Sequence, residues 1–127
     1  MQTMKPTLKK MFFNALELDK RNIIDLLEPN PSAKLLDLGC DDGEWTKKLA
    51  NIVGTEDYHG LDIVGERLQI AAKENGVQTK LGNLNQGLPW ENNTFDVVHS
   101  NQVFEHLCDL DQFISEIYRV LSQVAMR

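Results

Sequence analysis

Two glycines four positions apart, Gly39 and Gly43, bracket Cys40, Asp41 and Asp42, and a further acid, Asp62, follows nineteen positions after the second glycine. Glycine takes positive φ readily and brings no side-chain bulk, so such a run lets a ligand lie against the backbone beside a helix N-terminus. A carboxylate at the position of Asp62 can accept hydrogen bonds from both ribose hydroxyls of a nucleoside. Each feature also has a plainer reading: the glycines as a tight strand-to-helix turn, and Asp62 as the N-cap of the next helix. The two roles of Asp62 are compatible, and together loop and acid point to a nucleoside-containing cofactor.

The charges of the loop narrow the class of nucleoside. Asp41 and Asp42 stand where the pyrophosphate of a dinucleotide would approach, and two carboxylates there repel it. The spacing also departs from GxGxxG, so NAD and FAD are disfavoured. S-adenosylmethionine carries no phosphate but does carry a sulfonium and an ammonium, which suits acidic neighbours such as Asp37 and Asp41. Trp45 and Trp90 could stack on such a ligand, although helix spacing makes Trp45 a core residue first and Pro89 makes Trp90 a loop anchor. His59 reads as structural.

These residues need elements to position them. From about Leu8 to Leu27, Phe12, Leu16, Ile23 and Leu26 or Leu27 recur on roughly one face, which predicts an amphipathic leading helix over 8–28, stopped by Pro29 and Pro31. Ala33–Leu38 predicts a short strand running into the glycine loop. Trp45, Leu49, Ile52 and Val53 then lie on one face of a helix that ends near Gly54. A second strand over Tyr58–Asp62, a helix through Val64, Leu68, Ala71 and Ala72, and a third strand over Val77–Leu81 repeat the pattern. The β-branched run from Phe95 to Ser100 predicts a fourth strand, which would deliver His99, Ser100 and Asn101 to the mouth of the crevice. Asp109 and Gln112 have the spacing of a capping pair before the apolar stripe Leu110, Phe113, Ile114, Ile117 and Leu121. Strands and helices in alternation predict an α/β, Rossmann-like three-layer fold with a mostly parallel sheet, whose ligand crevice lies beyond the carboxyl ends of the strands.

In that order, LLDLGCDDGEWTKKLA, GLDIVGERLQIAA, GNLNQGLPW, NNTFDVVHSNQVFEHL and EIYRVL resemble the type 11 family of class I S-adenosylmethionine-dependent methyltransferases over about residues 33–121. The resemblance implies strand order 3-2-1-4 and a site in which Asp37, Gly39, Cys40, Asp41 and Gly43 line the methionine and ribose end of the cofactor. It further implies Asp62 on the ribose hydroxyls, Ile63 packed on the adenine, Asn83 and Leu84 flanking it, and the backbone near Ser100 and Asn101 beside the methionine part, with Phe104 over it. The sequence carries Asp41 where the family often has Gly, and Asn83 where it often has Asp. Glu105 and His106 match a pair frequent in the family. His106 is a candidate base near the methyl group, and both residues alternatively orient the loop before the last helix through local hydrogen bonds. No metal is implied. The acceptor is not identified, and a small molecule is the family-level expectation.

The bulk numbers bound the rest. A chain of 127 residues with 42% hydrophobic content makes one domain, 1–127. A net charge of −6 excludes a surface built for nucleic-acid phosphates. Two cysteines without a CxxC pair suggest neither a disulfide framework nor a zinc cluster and fit a reducing cytoplasm, and apolar runs of a few residues suggest neither secretion nor membrane insertion. Type 11 sequences normally continue through three further strands, so the sheet reads as lacking its C-terminal strands, with the fourth strand at an unpaired edge. That predicts self-association, such as a homodimer through the uncovered edge or face. It also leaves open two readings without turnover, a cofactor-binding fragment and a Rossmann-type interaction domain.

Overall fold

The structure, a computed structural model, describes residues 10–14, 24–101 and 107–122. Five strands form one sheet: β1 (Lys10–Asn14), β2 (Lys34–Leu38), β3 (Asp57–Asp62), β4 (Gln78–Leu81) and β5 (Val97–Asn101). Among the described residues three full helices accompany them, α1 (Glu44–Val53), α2 (Gly65–Asn75) and α3 (Leu110–Val120), and helix also runs over residues 24–26. The order across the sheet is β1-β5-β2-β3-β4, and every pairing is parallel. The four strands expected from the sequence therefore run 3-2-1-4 in their own numbering.

Side chains alternate between the two faces as the strand period requires. Leu35 of β2 and Val97 of β5 pack with Leu49 and Val53 of α1. Leu36, Leu38, Leu61 and Val98 face the other way, onto Phe113, Ile117 and Val120 of α3. Those three residues follow at i, i+4 and i+7, and all are buried. Burying a side chain such as Phe113 contributes about 1.5–3 kcal/mol. The cap expected for α3 is present, with the Asp109 side chain accepting from the Gln112 amide at 3.1 Å. Helix α2 packs beside α1, so α1 and α2 cover one face of the sheet and α3 the other.

The leading helix over 8–28 is corrected by the structure. Lys10–Asn14, with the sequence KMFFN, is a strand, and within that range helix is described only at residues 24–26. The rest of the range lies outside the described residues. The apolar spacing that suggests a helix here is also compatible with a short strand, and a ladder decides between them. All five residues of β1 pair with Val97–Asn101 of β5, satisfying a row of amides and carbonyls that a local helix would leave open. The same pairing corrects the expectation of an unpaired edge at the fourth strand, because β1 covers it.

Candidate cofactor site at the carboxyl end of the sheet

The chain leaves β2 through a loop that turns on three left-handed residues, Gly39 (φ 77°), Asp41 (φ 53°) and Gly43 (φ 79°). The Gly39 and Cys40 amides both donate to the Leu61 carbonyl, at 2.8 and 3.2 Å, so the loop is laid across the end of β3. Glycine at 43 is also demanded by space: a Cβ there would stand 2.8 Å from Ala71 Cβ and from Val77 Cγ2. Cys40 turns inward and is buried against Gly60, where a Cβ would meet its sulfur at 2.5 Å. Burial, reinforced by the nearby Asp37 and Asp62 carboxylates, pushes the Cys40 thiol far up, so it packs as a neutral group.

Asp62 closes the loop from the other side. Its Oδ2 accepts from the Asp41 amide at 2.8 Å, and its Oδ1 from the Ile63 and Val64 amides at 2.8 and 3.1 Å. The N-cap of α2 is Val64, so Asp62 braces the approach to the helix instead of capping it. Ile63, expected against an adenine, is 64% exposed beside this carboxylate. Asn83 uses its Oδ1 to cap the short 3₁₀ turn Leu84–Gln86, and Leu84 rests on the α3-side core.

Asp37 occupies a different setting from the one implied by the resemblance. It is fully buried behind the loop, with Oδ2 accepting from Thr46 Oγ1 at 2.6 Å and Oδ1 lying 2.8 Å from His99 Nδ1. Trp45 Nε1 lies 3.4 Å from His99 Nε2. An indole N–H only donates, so Nε2 is the accepting nitrogen and Nδ1 carries the proton toward Asp37. This network joins β2, β5 and the first turn of α1. One strand position on, Ser100 Oγ is buried with no hydrogen-bond partner among the described residues. Asn101 ends β5, whereas Phe104, Glu105 and His106 lie outside the described residues.

Three participants were not singled out in the sequence, and His99, expected at the mouth of the crevice, is instead 1% exposed and set against Asp37. Thr46 and the role of His99 depend on a contact between residues 37 and 99, brought level by the β2–β5 register. Arg67 of α2 pairs with Asp41 and Asp42 across 26 and 25 positions. Asn85 accepts from the Cys108 amide at 2.8 Å and so ties the loop after β4 to the entry of α3. The one available signal was compositional: two adjacent acids in a turn call for a cation somewhere.

A parallel sheet of this order, with a glycine loop and a strand-end acid meeting at its carboxyl edge, defines a class I methyltransferase fold. Residues 36–124 match the methyltransferase domain family, type 11, and the chain belongs to that family. It is 30% identical over 109 residues to a demethylmenaquinone methyltransferase of Bacillus mycoides, covering 80% of this chain and 46% of the relative. With the demethylmenaquinone methyltransferase of Lactiplantibacillus plantarum it shares 35% identity over 98 residues, 71% of this chain and 41% of the relative. An S-adenosylmethionine-dependent methyltransferase from Mesorhizobium loti superposes with a TM-score of 0.72 at 20% identity, over 82% of this chain and 48% of that one, a likeness of fold. The chain thus spans less than half the length of these relatives. Among the described residues no helix is long and apolar enough to cross a membrane.

Proposed function

We propose that the chain forms the cofactor-binding half of an S-adenosylmethionine-dependent methyltransferase that acts on a small-molecule acceptor. The observation that carries this reading is the meeting of the Gly39–Gly43 loop with Asp62 through the 2.8 Å bond from the Asp41 amide, which brings both parts of a nucleoside motif into one crevice. The donor set fits the cofactor. Asp62, with three backbone amides already on its carboxylate, retains acceptor capacity on Oδ2 for a ribose hydroxyl, Ile63 offers apolar surface, and the buried Ser100 hydroxyl lacks a partner within the described chain. The relatives named for demethylmenaquinone support an acceptor of small-molecule class.

When bound, S-adenosylmethionine supplies an already electrophilic methyl group, so alignment of the acceptor provides much of the acceleration. Asp62 would fix the ribose, the Gly39–Gly43 backbone would lie along the methionine side, and Ile63 with Asn83 and Leu84 would border the base. The Asp37–His99–Trp45–Thr46 network keeps the ends of β2 and β5 level beneath that loop. His106 would accept the proton released by the acceptor.

Calorimetric titration with S-adenosylhomocysteine tests this reading, with NAD as a control. Saturable binding of the homocysteine ligand is expected, with Asp62→Ala weakening it by about tenfold or more, the scale of a lost charge-assisted hydrogen bond. Absence of binding at millimolar ligand, or equal binding by Asp62→Ala, would overturn it.

A further inference from the structure

The acid at position 41 is placed awkwardly for a cofactor loop. It takes a left-handed conformation that few side chains favour, and its amide donates to the Asp62 carboxylate at 2.8 Å. With Asp37, Asp42 and Asp62 it makes a strongly negative turn.

Arg67 answers that charge. Its Nε lies 2.8 Å from Asp41 Oδ1 and its Nη2 lies 3.2 Å from Asp41 Oδ2, a two-pronged contact that matches the planar guanidinium fork. Nη2 also reaches Asp42 Oδ2 at 3.3 Å. Helix electrostatics do not account for a cation here, because Arg67 is the third residue of α2, where the positive end of the helix dipole favours acids. A locally disfavoured charge that is doubly bonded to a strained loop residue is placed for the loop.

We propose that Arg67 is a positioning residue for the cofactor loop: it holds both oxygens of the Asp41 carboxylate and so adapts a loop with an acid at this place to its ligand. The inference rests on the cofactor reading above. It predicts that Arg67 matters chiefly through Asp41.

The test is a cycle of four full-length proteins: wild type, Arg67→Met, Asp41→Gly and the double variant. Each is titrated with S-adenosylhomocysteine, and amide hydrogen exchange at position 41 is followed without ligand. Arg67→Met is expected to weaken binding about three- to fivefold in the Asp41 background, the upper range for a partly exposed ion pair, and to speed exchange of the Asp41 amide. In the Asp41→Gly background, where only the 3.3 Å contact to Asp42 remains, the same substitution should change both distinctly less. An equal loss in both backgrounds, or no change in either, would overturn the proposal. If the wild type binds no cofactor, the functional reading fails separately, and the exchange cycle still decides whether Arg67 sets the position of Asp41.

Discussion

Asp37 is a carboxylate taken out of water and answered by two donors, with Trp45 occupying the far side of the imidazole. Removing one donor leaves a buried charge short of a partner, which costs more than the bond itself contributes. His99→Leu is therefore expected to destabilise the chain by about 2–3 kcal/mol in denaturant unfolding; a change under about 0.5 kcal/mol would show that Asp37 does not depend on the ring. Nitrogen chemical shifts of His99 should show the proton on Nδ1. Single residues were legible in the sequence where a local motif carried them: the Gly39–Gly43 loop meets Asp62 at the carboxyl end of the sheet. His99 was expected at the mouth of the crevice but is buried against Asp37, because that partner lies 62 positions away and is fixed by sheet register, which no local pattern encodes.

Helix α3 works as a clamp as well as a wall. Arg119 donates to the Leu88 and Trp90 carbonyls at 2.9 and 2.8 Å and to Asn92 Oδ1 at 2.9 Å, while Glu116 accepts from the Leu88 amide at 2.8 Å and holds the same guanidinium. The Arg119 hydrogen bond is the main cause that holds the Glu116 carboxyl below its ordinary 4.5, with the Leu88 amide helping. A carboxyl depressed by folding stabilises fully above its unfolded value and loses that contribution as pH falls through its folded value. Thermal midpoints should therefore drop on acidification below about pH 4.5, and Glu116→Gln should show a smaller acid-side drop. Equal drops in both proteins would remove Glu116 from the account. The helix itself was legible, cap included, because capping and periodicity are both local signals; of its expected stripe Phe113, Ile114 and Ile117 pack on the core, whereas Leu110 in the first turn is 51% exposed and Leu121 lies just past the helix end. The leading segment was not: over Lys10–Asn14 the helical pattern gave way to strand pairing, since the edge of β5 offered five residues of ladder.

Seen entire, the sheet places β1 after the last strand in sequence order, so the first described segment shields the strand that was expected to be bare. Removal of residues 1–14 should re-expose the β5 edge and produce concentration-dependent association in sedimentation, while the whole chain sediments with less self-association at equal concentration. Unchanged sedimentation would mean that β1 is not what keeps that edge closed. The two tryptophans, finally, fall on opposite sides of the sheet: Trp45 packs against the α1-side core, and Trp90 sits edge-on to Phe95, at 5.2 Å between ring centres, in the α3-side core. Each layer thus contains its own fluorophore. With either one replaced by phenylalanine, emission from the other reports the melting of one layer alone, and the molecule can be asked optically whether its two halves come apart together.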